Sequence, residues 1–477
     1  MEMPRNIGPF HIIGIGGIGM SAIAEILLEL GYQVQGSDAK ENANVRRLRN
    51  RGLRVFIGQD AQNLIGARYV VVSTAIKRDN PELLGARRRG LPVIRRADML
   101  AELMRMRKTV SVTGTHGKTT TTSLIAHIFE QGGLDPTVIT GGIVNSWGSN
   151  ARLGQGEWMV VEADESDGTF IKLPTEIGVV TNIDPEHLDY FGTVERMHRQ
   201  FRRFYTAIPF YGAAVTCTDH PVVRSMVKEV MEEVSAPILT YGTTEDVDLR
   251  ISAVRAEAGG MTFDLDVGAR VRGGARHIAG LHMPVPGHHN ALNATAAFAV
   301  AAHAGLADEV IVPRLATFSG VKRRFTPTGS WNGVSFFDDY AHHPVELTAV
   351  LKAARAATSG RVIGIFQPHR YSRLSNLFDD FCNAFADADM VVVTPVYTAG
   401  ESPILGIDHH SIAAGIRRTG HAGVEVVESE TELAPLIASL ARPGDLVIGL
   451  GAGTITEWSY ALPQWLTGGA RTAGGAA

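Results

Sequence analysis

The chain has 477 residues, 45 basic against 49 acidic side chains, a formal net charge of −4 and 45% hydrophobic residues. That length exceeds a single hydrophobic core and predicts two to four domains, while the balanced charge lacks the basic footprint of a nucleic-acid binder. Two cysteines, Cys217 and Cys382, exclude a disulfide scaffold or a cysteine metal cluster and fit a cytoplasmic protein; no apolar run is long enough to predict a membrane span.

Fifty-two glycines suit α/β layers, in which strand-to-helix turns use glycine. Within residues 1–107, PFHIIGI predicts a strand, Ile18 to Leu30 a helix, YQVQGSD a strand and VRRLRNRG a helix; LRVFIG and RYVVVSTAI continue the rhythm. The apolar FHIIGIGGIGM leads directly into an acid-bearing helix, so it is expected to belong to the fold rather than to an export signal. Gly14, Gly16 and Gly19, with Gly17 between them, form G-x-G-x-x-G after the first strand, and Asp38 follows the second strand at the spacing of a dinucleotide fingerprint. Such glycines let a diphosphate meet a helix N-terminus. They do not choose between a nicotinamide dinucleotide and a UDP-sugar, and a tight turn without ligand satisfies the same letters. The charged helix ADMLAELMRMRK leads out of this doubly wound module near residue 107.

Residues 108–320 open with the strand, turn and helix of VSVTGTHGKTTTT. Counting back from Gly117-Lys118-Thr119 puts Val112 where G-x-x-x-x-G-K-[ST] demands its first glycine. Gly114 can supply the turn instead. With Gly117 it brackets Thr115 and His116, and Lys118, Thr119 and Thr120 start a helix whose free N–H groups and dipole favour phosphate. EWMVVEADE and EIGVVTNID predict strands. The first delivers Glu162, Asp164, Glu165 and Asp167 beside the loop, where nucleotide hydrolases hold Mg²⁺, although acidic loops are also often simply solvated. The second delivers Asn182, Asp184 and His187 to the sheet edge. A β-rich stretch over 240–285 precedes PGHHNALN, which starts an Ala-rich helix with His289, Asn290 and Asn293; amides there either cap the helix or read a base.

TFSGVKRRFTPTG predicts a hinge, in which Lys322, Arg323 and Arg324 are either a solvated charge run or a phosphate clamp between closing domains. Over residues 321–464, GVSFFDDY, RVIGIFQ, MVVVTPVY, VEVVES and DLVIGLGAG predict strands separated by helices. The loop FDDYAHHP carries Asp338, Asp339, Tyr340, His342 and His343, and QPHRYSR carries His369, Arg370, Tyr371 and Arg373. Carboxylates and imidazoles opposite guanidinium forks suit gripping a small carboxylate and accepting a proton from an amine; either loop alone is equally an ion-pair cluster. Residues 465–477 are expected to form a disordered tail. The expected fold is α/β in three domains: a Rossmann-like module, a P-loop-type mononucleotide-binding module with a β-rich addition, and a second Rossmann-like module.

Taken together, GIGGIGMSAIAE, SDAKENANVRRL, VVSTAIKRDNPEL, TGTHGKTTTT, VVEADESDGTF, TNIDPEHLDYF, PGHHNALNA, GVKRRF, DDYAHHP and QPHRYSR resemble the Mur ligases over residues 8 to about 464. The resemblance implies ATP-dependent amide formation in cytoplasmic peptidoglycan precursor synthesis, in the branch that joins L-alanine to UDP-N-acetylmuramate through an acyl phosphate. It further implies Mg²⁺, and a monomer or weak homodimer without nucleic-acid or membrane partners. By position it implies Lys118 and the backbone of Gly114 to Thr120, including Thr115, His116, Gly117 and Thr119, at the phosphates of ATP. His289 and Asn293 would meet adenine, and Arg324 the γ-phosphate. Thr119, Glu162 and His187 would hold the metal, and Tyr340, His342, Arg370 and Arg373 alanine. Gly14, Gly16, Gly17 and Gly19, with Ser37, Asp38, Ser73 and Ala75, would bind the UDP-sugar; Lys118, His342 and Arg324 would be the catalytic set. One departure stands out. Val194 to Thr206 contains arginines and no lysine, so the carbamylated lysine of several sister ligases has no counterpart, arginine being permanently protonated. Two alternatives stay open: a ligase joining a whole peptide to the same sugar, and, from another class, a nicotinamide dehydrogenase with an appended ATPase.

Overall fold

A computed structural model describes residues 3–4, 7–257 and 260–468. Apolar runs such as FHII and YVVV, flanked by helices on both faces, form the parallel strands of a first sheet. Its strands are β1 (Phe10–Ile13), β2 (Val34–Asp38), β3 (Arg54–Ile57), β4 (Tyr69–Val72) and β5 (Val93–Arg95), in the order β3-β2-β1-β4-β5. Around them lie α1 (Ile18–Glu29), α2 (Ala43–Asn50), α3 (Pro81–Arg88) and α4 (Arg96–Met104). The strand order turns back between β1 and β4, which leaves a crevice where the glycine turn follows β1.

The second sheet has ten strands: β6 (Lys108–Thr113), β7 (Thr137–Val144), β8 (Ser149–Arg152), β9 (Trp158–Glu162), β10 (Ile177–Val180), β11 (Ala213–Cys217), β12 (Ile238–Gly242), β13 (Leu249–Glu257), β14 (Gly260–Val267) and β15 (Arg276–Met283). Their order is β15-β14-β13-β12-β11-β10-β6-β9-β7-β8, parallel in the centre, with antiparallel β14 and β15 at one end and β8 at the other. The β-rich stretch expected after residue 240 is this antiparallel end. In β14, Met261, Phe263, Leu265 and Val267 face inward at alternate positions. Six helices accompany the sheet: α5 (Lys118–Gln131), α6 (Leu188–Phe191), α7 (Val194–Thr206), α8 (Pro221–Val230), α9 (His288–His303) and α10 (Asp308–Leu315). The small side chains of α9 let it lie close to α5, so that Ala294, Ala297 and Ala301 share a core with Leu124, Ile125 and Ile128.

In the third sheet, β16 (Thr326–Trp331), β17 (Val334–Asp339), β18 (Val362–Phe366), β19 (Met390–Val393), β20 (Val424–Val426) and β21 (Leu446–Leu450) take the order β16-β17-β21-β18-β19-β20, with only β16 antiparallel. The helix α11 (Pro344–Ala357) follows β17.

Three local features differ from the sequence expectations. The hairpin β7–β8 is not foreseen, because Gly141-Gly142 interrupts the alternation: Ile139 pairs with Ala151 and Val144 with Ser149, so residues 140–143 bulge out of register. The expected hinge ends early, since Thr326 already pairs in β16; within it Arg323 (φ 62°) and Phe325 (φ 46°) take left-handed backbone conformations unusual for bulky residues. The last helix, Ile455–Leu466, runs two residues into the expected tail, of which residues 469–477 lie outside the described residues. No helix among the described residues is long and apolar enough to cross a membrane.

Candidate active site

The loop between β6 and α5 is built around two glycines that nothing else can replace. At Gly114 (φ 126°) a Cβ would lie 2.2 Å from Thr181 Oγ1 and about as close to the Asn182 backbone as atoms can come; at Gly117 (φ 81°) it would lie 2.7 Å from Asn293 Oδ1. His116 N–H donates to Asn182 Oδ1 at 2.7 Å, so the neighbouring strand end braces the turn. Lys118 opens α5 and folds back over the loop, its Nζ donating to Gly114 O (2.5 Å), Thr115 O (3.0 Å) and Glu165 Oε1 (2.8 Å). Burial opposes the charge on Lys118, but Glu165 and Asp164 outweigh it and the ammonium holds its proton more tightly than usual. Burial lifts Glu165 to about 7, against the pull of Lys118.

Two groups of oxygen and nitrogen donors flank the loop. Thr119 Oγ1 donates to Glu162 Oε1 at 3.1 Å, and Glu162 Oε2 accepts from Thr140 Oγ1 (3.1 Å) and Gly141 N–H (2.6 Å). His187, in a left-handed conformation at the start of α6, has its Nε2 3.8 Å from Glu165 Oε1 and 3.7 Å from Glu186 Oε2. The three residues expected at a metal are thus divided: Thr119 pairs with Glu162, while His187 joins Glu165 and Glu186, whose donor atoms all lie within 4.8 Å of one another. Glu165 Oε2 is buried without a hydrogen-bond partner. A buried orphan carboxylate oxygen among further oxygen donors fits Mg²⁺ well.

Across the crevice, α11 begins with a capping box in which Glu346 returns to the backbone of His343. The Glu346 carboxylate gathers three nitrogen groups: His116 Nδ1 at 3.3 Å, Arg324 Nη1 at 3.8 Å and His342 Nδ1 at 3.4 Å. Burial disfavours its charge, but the two imidazoles and Arg324 prevail and hold it well below the ordinary range. His116 also faces Asp184, at 3.2 Å; burial alone would discharge the imidazole, yet Asp184 and Glu346 raise it to about 9. His342 behaves in the opposite way. Burial brings it down to about 4, so the ring is neutral, and its Nδ1–H is directed to Tyr340 O at 2.9 Å, which leaves Nε2 as a lone-pair acceptor. Arg373 donates to Glu186 Oε1 at 3.2 Å, and Tyr397 stacks on His369 with centroids 5.5 Å apart.

All three sheets contribute to one cavity of about 1340 Å³, lined by Gly16, Gly17 and Gly19, by Thr115 to Thr119, by Glu162 and His187, and by Arg324, Tyr340, His342 and Arg373. A recess of about 200 Å³ shares His116, Gly117, Arg324 and Glu346 with it and holds His289, Asn293 and Thr120 among Tyr241, Val285, Pro286 and Leu292. Burial keeps His289 neutral, down to about 4. Asn293 accepts from Thr121 Oγ1 (3.1 Å) and donates to Asn290 Oδ1 (3.2 Å), while Asn290 donates to Pro286 O; no side-chain hydrogen bond caps α9.

Several expected contacts lie elsewhere. Ser37 is fully buried and donates to Glu82 inside the first sheet's packing, beside His11, because β2 turns that side chain away from the crevice. Asp38 accepts from Gly16 N–H at 2.8 Å and so supports the turn, whose Gly14 contributes conformation (φ 73°) rather than lining. Ser73 and Ala75 follow β4 and do not line the cavity. Arg370, exposed at φ 70°, caps the next helix with its backbone and stays outside the cavity too. Asp338 and Asp339 do not line the larger cavity: Asp339 borders the recess and accepts from Phe325 N–H and Ala341 N–H at 2.8 Å, which fixes the hinge, and Asp338 accepts from Thr456. Conversely, sequence reasoning missed Arg96, Glu186 and Glu346, all cavity-lining. The spacing His343-x-x-Glu346 after a loop is a capping-box signal that marks Glu346; nothing in the sequence marks Arg96.

Family models match the chain in three consecutive blocks: "Mur ligase family, catalytic domain" over residues 9–108, "Mur ligase middle domain" over 112–301 and "Mur ligase, glutamate ligase domain" over 323–453. The UDP-N-acetylmuramate–L-alanine ligase of Methylobacterium radiotolerans is 58% identical over 467 residues, covering 98% of this chain and 99% of its own; that of Rhodopseudomonas palustris is 57% identical over 463 residues, covering 97% and 98%. Among solved structures, the UDP-N-acetylmuramate-alanine ligase of Thermotoga maritima superposes with a TM-score of 0.82 at 27% identity, over 97% of this chain and 99% of that one. A murein peptide ligase from Psychrobacter arcticus shares the fold, with a TM-score of 0.70 at 23% identity over 96% and 98%. With a phosphate loop, a glycine turn and an arginine–histidine wall meeting in one cavity, and with those matches spanning nearly its whole length, the chain belongs to the Mur ligase family.

Proposed function

We propose that this protein joins L-alanine to the lactyl carboxylate of UDP-N-acetylmuramate at the expense of ATP, giving ADP and phosphate, in cytoplasmic peptidoglycan precursor synthesis. The observation that carries this reading is the single cavity shared by the glycine turn, the phosphate loop and Arg373 with His342. A carboxylate is a poor electrophile. Transfer of the γ-phosphoryl group to it gives an acyl phosphate, whose carbonyl carbon the alanine amine then attacks, expelling phosphate.

The residues divide this work along the three sheets, which we take as three domains, 1–107, 108–320 and 321–464. The glycine turn of Gly16, Gly17 and Gly19 receives the diphosphate of the UDP-sugar at the N-terminus of α1. Lys118 and the N–H groups of the phosphate loop hold the triphosphate, with adenine in the recess of His289 and Asn293. Arg324, half-buried beside the loop, neutralises charge as two anions are brought together. Thr119, Glu162 and His187, with Glu165 and Glu186 in reach, would hold Mg²⁺, which draws electron density from the γ-phosphoryl group. Arg373 grips the alanine carboxylate as a planar fork, and neutral His342, its Nε2 free, stands ready to accept the ammonium proton. On this scaffold the G-x-G-x-x-G turn serves a nucleotide sugar, and the dehydrogenase alternative leaves the Arg373 and His342 wall without a purpose.

The test is ADP release by purified protein given Mg²⁺, ATP, UDP-N-acetylmuramate and L-alanine, with each omitted in turn. Turnover that needs all of them supports the reading; turnover indifferent to the sugar or to alanine refutes it. Replacing alanine with a tripeptide separates the peptide-joining alternative.

A further inference from the structure

The bulged hairpin β7–β8 touches each of the three working parts of the cavity. Its outgoing strand presents Thr140 Oγ1 and Gly141 N–H to Glu162. Glycine is required on that arm: a Cβ at Gly141 would lie 2.6 Å from Glu162 Oε1, and one at Gly142 would lie 2.8 Å from Thr119 Cγ2 and 2.9 Å from Val321 Cγ1. Its tip is stitched to the hinge, with Val144 bridged to Val321, Lys322 N–H donating to Ile143 O at 2.9 Å and Asn145 Nδ2 donating to Ser319 O at 2.8 Å. Its return strand reaches the first sheet. There Asn150, fully buried, donates from Nδ2 to Ile18 O at 2.6 Å and accepts from Arg47 at 2.9 Å, while Ser149 donates to Glu25, itself paired with Arg47.

Ile18 is the first residue of α1, adjoining the glycine turn. That turn is fixed from its own side by Asp38 and by Asn44, which donates to Gly16 O at 2.8 Å, and from the far side by Asn150. We infer that Asn150 is a positioning residue that couples the two nucleotide sites: through the hairpin, occupation of the phosphate loop and its metal carboxylate sets the placement of the glycine turn. The inference rests on the functional reading above. A side chain with both polar ends satisfied across a domain boundary transmits a displacement instead of absorbing it, and coupling of this kind is reciprocal.

Calorimetry on the full chain tests it, with UDP-N-acetylmuramate titrated alone and in the presence of Mg²⁺ and β,γ-imido-ATP, for wild type, Asn150→Ala and the isosteric Asn150→Asp. In wild type the ATP analogue should tighten sugar binding about fivefold or more, within the usual range of allosteric coupling. In both variants that factor should fall below about twofold, while the affinity for the analogue alone stays near wild type; the melting temperature should drop with the lost buried hydrogen bonds, and the factor is read where each variant is folded. Coupling retained in either folded variant, or no coupling in wild type despite binding of both ligands, overturns the inference. A wild-type protein that fails to bind the sugar at all overturns the functional reading instead.

Discussion

His116 in the loop between β6 and α5 and Glu346 at the start of α11 meet at 3.3 Å, an ion pair that ties the second sheet to the third where the cavity meets its recess. His116 is held at about 9, well above the 6.5 of a free imidazole. A group with a raised folded-state pKa contributes stability that is complete below its unfolded value and disappears as pH rises through the folded value. Denaturant unfolding should therefore show stability falling between pH 6.5 and 9, by up to roughly 3 kcal/mol. His116→Gln should flatten that slope; an unchanged slope would remove the imidazolium from the account.

Lys118→Ala should cut turnover by about a hundredfold or more, the scale seen when one preorganised charge donor is lost. Affinity for the UDP-sugar, proposed to bind at the glycine turn of the first sheet, should stay within about twofold in the same variant, as read by calorimetry. Comparable turnover in wild type and variant would dismiss the phosphate assignment.

Arg373 offers a fork that a lysine cannot copy. Arg373→Lys should raise the Michaelis constant for alanine about tenfold while leaving those for ATP and the sugar little changed, measured by phosphate release at varied alanine. A shift in the sugar constant alone would place Arg373 against the other substrate.

Glu162 joins Thr119 to the hairpin, and a neutral amide there keeps the hydrogen bonds while removing the charge. Glu162→Gln should raise the Mg²⁺ concentration for half-maximal activity about tenfold, in keeping with loss of one carboxylate ligand. Chelation with EDTA should abolish activity in wild type and variant alike, reversibly on adding Mg²⁺.

The strands were legible wherever apolar runs ended in glycine turns, as at β1 and β21, because burial on both faces leaves an unbroken signature. The hairpin was not legible: its two glycines serve contacts with Glu162 and Thr119 that are distant in sequence, and they erase the local alternation. Residues on the glycine turn, the phosphate loop and the loops FDDYAHHP and QPHRYSR were singled out from their chemistry, and the cavity gathers side chains from each of these segments. Glu346 looks like a surface helix turn until the hinge brings Arg324 to it, and Glu186 is overshadowed by the adjacent His187. Ser37 was expected at the UDP-sugar on the resemblance alone; β2 places its hydroxyl against Glu82 within the buried packing of the first sheet.

Lys118, spanned between two loop carbonyls and Glu165, gives the resting enzyme a particular chemical temperament. A bare oxyanion such as orthophosphate, freed in every cycle, encounters an ammonium already quenched and gains little by lingering. On the proposed function, a nucleotide escorted by its own divalent counter-ion would offer Glu165 a partner in place of the lysine. Selectivity for the loaded triphosphate over the spent by-product would then start from this one ion pair.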